Sequence, residues 1–169
     1  MSFQFDFDGD STMSTMYVDN IVEKTSANGV HIPGHIIQIV KSEVTGNVQA
    51  TSATYLDVGH SLVITPKFAS SNILLQHFAQ GWQYNAGSPN SMGIRFKRGS
   101  SVIMTNDGAG YSEDGTWNSH SWVTAYFDTG HNSTSAQTYT VEINGNRVRY
   151  NDTAGIANTA TLIAMEIAQ

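Results

Sequence analysis

Residues 59–75 read GHSLVITPKFASSNILL, the stretch that says most about how this chain folds. Two short apolar runs, Leu62 to Ile64 and Ile73 to Leu75, flank a break made of Pro66, Lys67 and the Ser70-Ser71-Asn72 cluster. Pro66 cannot donate a ladder hydrogen bond, so it ends one strand, and Ser/Asn chemistry turns the chain before the next begins. From His35 onward the chain continues in period-2 alternation. Met92, Ile94 and Phe96 oppose Gly93, Arg95 and Lys97, while Tyr139, Val141 and Ile143 oppose Thr138, Thr140 and Glu142. In the C-terminal run, Ile163, Met165 and Ile167 oppose Leu162, Ala164, Glu166 and Ala168, so both faces are largely apolar. Segments 36–40 and 73–78 share this property, which places such strands in mid-sheet or at an interface.

Strands are expected near 35–43, 53–57, 61–65, 72–84, 92–98, 101–105, 120–128, 136–143, 146–151 and 159–168. Arg98-Gly99-Ser100-Ser101 and Asn144-Gly145-Asn146 read as tight hairpins. No segment joins helical periodicity to caps. The expected fold is therefore all-β, an antiparallel β-sandwich of the jelly-roll kind with about 8–10 strands.

Composition agrees. Charged residues are 13% of the 169, well below the ~25% of ordinary soluble domains. Thr, Ser, Asn and Gly take their place, as pleated surfaces joined by turns require. The net charge of -6 makes nucleic acid a poor partner. Without cysteine there are no disulfides, thiolate metal sites or cysteine nucleophiles. No apolar run approaches ~18 residues and the start, MSFQFDFDGD, is acidic, so neither membrane insertion nor standard secretion is expected.

Residues 1–34 read as an extended N-terminal arm and 35–169 as the sandwich domain. In the arm, Phe3, Phe5 and Phe7 alternate with Gln4, Asp6 and Asp8, giving one apolar and one acidic edge. Three rings so close to a terminus cannot make their own core, so they are expected to pack on the body or on a neighbouring subunit. Asn28-Gly29 is the strongest turn dipeptide of the chain, and Ile32-Pro33-Gly34 closes the segment. The run MSTMYVDNIVEKTSANGVHIPGHIIQ resembles the segment that leads into the head domain of many bacteriophage fibre and appendage proteins. The 59–75 element likewise resembles the strand-connection-strand unit of small jelly-roll domains at the ends of phage tail fibres. The resemblance runs from Met13 to the end, through short motifs. It implies a virion protein, a homotrimeric fibre tip or appendage, and the three-ring stripe of the arm reads as its attachment to other virion structural proteins through Phe3, Phe5 and Phe7. Its loops would touch the host surface, with glycan as the receptor class.

Gln83 to Ser91 and Asn106 to Ser119 are the longest polar, Gly-rich stretches of the body and read as loops. They carry Tyr84 in the first, and Asp107, Tyr111, Glu113, Asp114 and Trp117 in the second. Aromatics and carboxylates on polar loops over a rigid sandwich are how small β domains present a binding surface. Equally, a large ring can cap the open end of a sandwich and fill its core, and both readings stand for these six residues.

Chemistry of other kinds finds little support. Asp107, Glu113 and Asp114 supply the carboxylates of a glycoside hydrolase, but Asp107-Gly108 and Asp114-Gly115 are also plain turn vocabulary. A calcium loop lacks its closing Glu, since Tyr17 stands where the 6–17 segment would need one. The six histidines are scattered, and Pro33-Gly34 keeps His31 and His35 off a common helix face. His77, in an apolar strand, reads as a hydrogen-bonded core or interface histidine. Arg95, Lys97, Arg98, Arg147 and Arg149 read as solvated strand faces and edge protection, or as partners of an acidic neighbour. No metal, cofactor or catalysis is expected. The rival to the receptor-binding reading is a capsid decoration or tail adaptor protein with a purely structural role.

Overall fold

The computed structural model describes residues 32–84, 90–112, 115–153 and 156–169. Phe3, Phe5 and Phe7, and with them nearly all of the expected arm, lie outside the described residues, as do Glu113 and Asp114.

The strands are β1 (Ile36–Val44), β2 (Val48–Ile64), β3 (Asn72–Tyr84), β4 (Asn90–Arg98), β5 (Ser101–Ser112), β6 (Trp117–Asp128), β7 (Gln137–Tyr150), β8 (Asp152–Thr153), β9 (Ile156–Ala157) and β10 (Ala160–Ile167). Among the described residues there is no helix. The eight long strands pair antiparallel in one hydrogen-bonded network, organised as two sets of four. One set runs β1-β10-β3-β6 and the other β2-β7-β4-β5. Among the long strands the chain passes between the sets at every step except the β4–β5 hairpin, the double Greek key order of a jelly roll. The expected all-β sandwich is what the chain forms.

Alternation puts one face of each set into a shared core. Leu62 and Ile64 of β2, Ile73 and Leu75 of β3, Ile94 and Phe96 of β4, Val141 and Ile143 of β7, and Leu162 and Ala164 of β10 are all buried there. His77 joins them, as its apolar strand implied. Its Nε2 lies 2.8 Å from the Tyr150 hydroxyl, which lies 2.9 Å from His60 Nδ1. His60 Nε2, 3.2 Å from the Ser42 carbonyl, must carry a proton to donate there. Tyr150 then donates to His60 Nδ1 and accepts from His77 Nε2, a neutral relay that leaves His77 Nδ1 a buried lone pair without a partner among the described residues.

The break at Pro66 is present, and its turn has a function in the fold. The backbone N–H groups of Lys67 and Phe68 donate to Glu166 Oε1 at 2.8 and 3.0 Å, and the Ser71 hydroxyl donates to the same oxygen at 2.7 Å. Gln38 Nε2 donates to Oε2 at 2.6 Å. Glu166 is fully buried, on the inner face of β10.

Several local expectations are corrected. Segments 53–57 and 61–65 belong to one strand, β2, because a bulge absorbs the break between them. Gly59 takes φ 71° and donates to Asp57 Oδ1, and the register shifts between Asp57 and Ser61. Asn144-Gly145-Asn146 is not a hairpin but a bend inside β7, with Gly145 at φ 132° and Arg147 at φ 57°. Before the bend β7 pairs with β4, and after it residues 148–150 pair with Gly81–Gln83 of β3, joining the two sets. Most of the expected 106–119 loop is strand, since β5 stays paired with β4 as far as Ser112 and β6 starts at Trp117. Backbone pairing tolerates Gly and Asn there because a ladder bond needs no particular side chain. The 98–101 hairpin does form, with Gly99 at φ 56°. Ile32-Pro33-Gly34 makes a turn pinned to the C-terminal end, Gly34 N–H donating to Ala168 O at 2.8 Å.

Gly81 sits where β3 meets β6 and β7 together. A Cβ there would run into the Arg149 carbonyl oxygen and the Trp122 ring. Because the first obstacle is backbone, Gly81→Ala is expected to cost about 1–3 kcal/mol. Urea unfolding measures it, and an unchanged midpoint would mean that the crossing of β7 is looser than drawn.

Candidate functional site

Tyr84 ends β3 and Trp117 begins β6, and the antiparallel register sets them opposite each other. Their ring centroids lie 5.1 Å apart at a 41° tilt. Two residues expected on separate loops thus form one aromatic pair at the end of a sheet, next to both connections.

Arginines complete the cluster. Arg149 stacks its guanidinium 4.5 Å from the Trp117 ring centre, and Arg147 lies 5.1 Å from that of Tyr84. Arg149 is held in turn by Asp152 at 3.5 Å and by Gln49 at 3.4 Å. The expectation of simple solvated faces misses these contacts. Their signal was the spacing of Arg147 and Arg149, two apart in a strand and hence on one side. A cation over an aromatic face contributes about 0.5–1 kcal/mol when exposed, enough to bias the orientation of the ring. Trp117 nonetheless keeps 39% of its surface open. Arg149 and Asp152 also line a recess of about 270 Å³ with Asn47, Val48 and Gln49. Flat apolar rings, guanidinium donors, a carboxylate and amides at one place can stack on a sugar face and bond its hydroxyls.

The other expected residues are distributed differently. Asp107, on β5, accepts a short hydrogen bond from the Tyr55 hydroxyl, and the Tyr55 ring lies under the Arg95 guanidinium at 4.1 Å. Burial, followed by the hydrogen bond to Asp107, raises the Tyr55 pKa, so this phenol stays a donor. Arg95 and Lys97 pair with Glu142 in the same polar group. Burial alone would push the Glu142 carboxyl up, but its bonds to Arg95 and Lys97 hold it below the usual range. Tyr111 is half exposed on β5, opposite Ser91. Among the described residues, Tyr84 and Trp117 are the expected ones that the fold brings together.

No protein-family model and no curated protein matches the chain. A solved structure of the infectious bursal disease virus Gx strain is similar at a TM-score of 0.36 and 13% identity, over 82% of this chain. The chain spans 43% of that one, and a likeness of this size carries no argument about function.

Proposed function

We propose that the chain is a bacteriophage virion structural protein, a tail-fibre or appendage tip. Its jelly roll assembles as a homotrimer and presents the Tyr84–Trp117 end to host-surface glycan. The sequence resemblance supports the virion assignment, and the N-terminal Phe3, Phe5 and Phe7 supply the attachment to other virion proteins. The observation that carries the binding role is the open Trp117 ring, held in place by Arg149 and Tyr84. A pre-oriented ring loses little freedom when a ligand stacks on it. No catalysis is assigned.

Trp117→Ala is expected to weaken adsorption to bacterial cells about 10-fold or more, as loss of one anchoring aromatic does. Tyr84→Ala is expected to follow it and Asp107→Ala to act mildly, with circular dichroism unchanged in each. Binding of the purified protein to a panel of cells and of isolated surface polysaccharides is the measurement. Normal adsorption by both aromatic variants would move the structural reading, a capsid decoration or tail adaptor, to first place. That reading draws on the guanidinium already covering part of Trp117, which can equally be a finished structural contact.

A further inference from the structure

The two outer faces of the sandwich differ in kind. Outside β2-β7-β4-β5 lie Arg95, Lys97 and Glu142 in mutual ion pairs, with Asp57 opposite Glu142. The register of β1-β10-β3-β6 places apolar side chains in rows on its outer face. Ile39, Met165, Leu74 and Phe127 form one row across all four strands, and Phe78 opposes Val123 two rows along, beyond the row of Lys41, Ile163, Gln76 and Ala125. Val123 is 70% exposed and Phe127 49%, and Ile36, Ile39 and Phe78 are exposed as well. A groove of about 310 Å³, lined in part by Phe78 and Val123, opens next to them.

We infer that this face is where sister copies of the chain pack against each other. The inference rests on the assembly half of the proposed function. Tyr84 and Trp117, six positions along β3 and β6 from Phe78 and Val123, lie at the end of the same outer face, so the receptor half requires the copies to leave that end open. Two features favour a copy of this chain as the occupant. Ile36, Ile39, Phe78, Val123 and Phe127 are all exposed on it, where surface apolar residues of a monomer are ordinarily scattered singly. Its charge is also self-compatible. The chain carries -6, yet the charges that the four strands of this face turn outward are Lys41 and Glu43, paired with each other at 3.0 Å, and Arg149 of β7 joins the face only at its Tyr84–Trp117 end. Two copies can therefore meet here without placing like charges together, which the opposite face, with its three ionised groups around Glu142, does not allow as readily.

The test is the mass of the assembly, by native mass spectrometry and light scattering at micromolar concentration. The wild-type chain is expected to be an oligomer, and Val123→Glu to weaken association by at least ~100-fold, because it buries an unpaired carboxylate at the contact. Val63→Glu, at a 52% exposed position on β2 in the other set, is expected to keep the wild-type mass. The absence of native cysteine allows a second measurement that does not depend on tolerance of a charge. In the assembled protein a maleimide is expected to label Val123→Cys ~10-fold more slowly than Val63→Cys. A monomeric wild type would overturn the inference and assign the face to a different occupant. So would equal labelling of the two cysteines, or a Val63→Glu variant that dissociates as readily as Val123→Glu. Lost adsorption with the oligomer intact would instead bear on the receptor reading alone.

Discussion

Glu166→Ala is expected to remove about 2–5 kcal/mol of stability, because it leaves several buried donors with nothing to bond. The carboxylate is enclosed on the inner face of β10 and takes hydrogen bonds from Lys67 N–H, Phe68 N–H, the Ser71 hydroxyl and Gln38. Without it, two backbone donors of the 65–71 turn point into the protein with nothing to bond, and each such group costs about 1–3 kcal/mol. Glu166→Gln keeps the shape but turns one acceptor into a donor, so it is expected to lose a smaller part of this. Burial by itself would raise the carboxyl, but the bonds from Lys67, Ser71, Gln38 and Phe68 outweigh it and hold its pKa below the ordinary value. Its stabilisation is thus fully present above the unfolded pKa of ~4.3 and is lost as pH falls through the lower folded value. Urea unfolding at neutral pH and along an acid series measures both effects. A Glu166→Ala protein as stable as wild type would show that the turn closes without the carboxylate.

Acidification is expected to destabilise the domain from ~pH 6.5 downward, before its carboxylates titrate, and His77→Gln is expected to remove a substantial part of that slope, the rest coming from His60 and His120, which burial also holds down. Burial pushes the His77 pKa down to about 3, with His60 adding a smaller push in the same direction. Burial also lowers His60, partly opposed by its bond to the Ser42 carbonyl. The folded state therefore binds fewer protons than the unfolded one between the two His77 values, and stability rises with pH across that window. Each pH unit inside it is worth up to ~1.4 kcal/mol for one such group. The structural cause is the Tyr150 relay: a second proton on His77 would go on Nδ1, which faces no acceptor among the described residues. The rings around it, Phe96, Tyr150 and His60, hold it in place without offering a compensating charge. Unfolding midpoints of wild type and His77→Gln, compared from neutral pH to ~pH 4.5, decide the matter. Parallel pH dependences would sink the assignment.

Both of these residues show how far a local reading reaches. The apolar surroundings of His77 in its strand already marked it as a hydrogen-bonded core or interface histidine, and Pro66 with its Ser-rich cluster already marked a strand end. Neither segment could disclose its partner. Tyr150 lies 73 residues from His77, and Glu166 lies 99 from Lys67. Glu166 even read as an exception on an apolar face, because a carboxylate is buried safely only where backbone donors converge on it. The candidate site follows the same rule. Tyr84 and Trp117 were legible as aromatics at the borders of polar segments, but their contact depends on the β3–β6 register. The two arginines over them depend on the bend at Gly145.

Alternation of side chains, the proline break and the scarcity of charge determined on their own that this chain makes an antiparallel sandwich, because each is a property of a strand and its immediate neighbours. Where strands continue was decided by tertiary pairing: a ladder partner supplies the hydrogen bonds that polar, Gly-rich stretches such as 106–112 could not hold alone. Tertiary structure also decided which of two apolar faces is core. On β10, Leu162 and Ala164 are sealed against the opposite set, while Ile163 and Met165, equally apolar, lie half-buried on the outside. Period-2 patterning separates the two faces of a strand, but only the packing of the second sheet selects which of them leaves water.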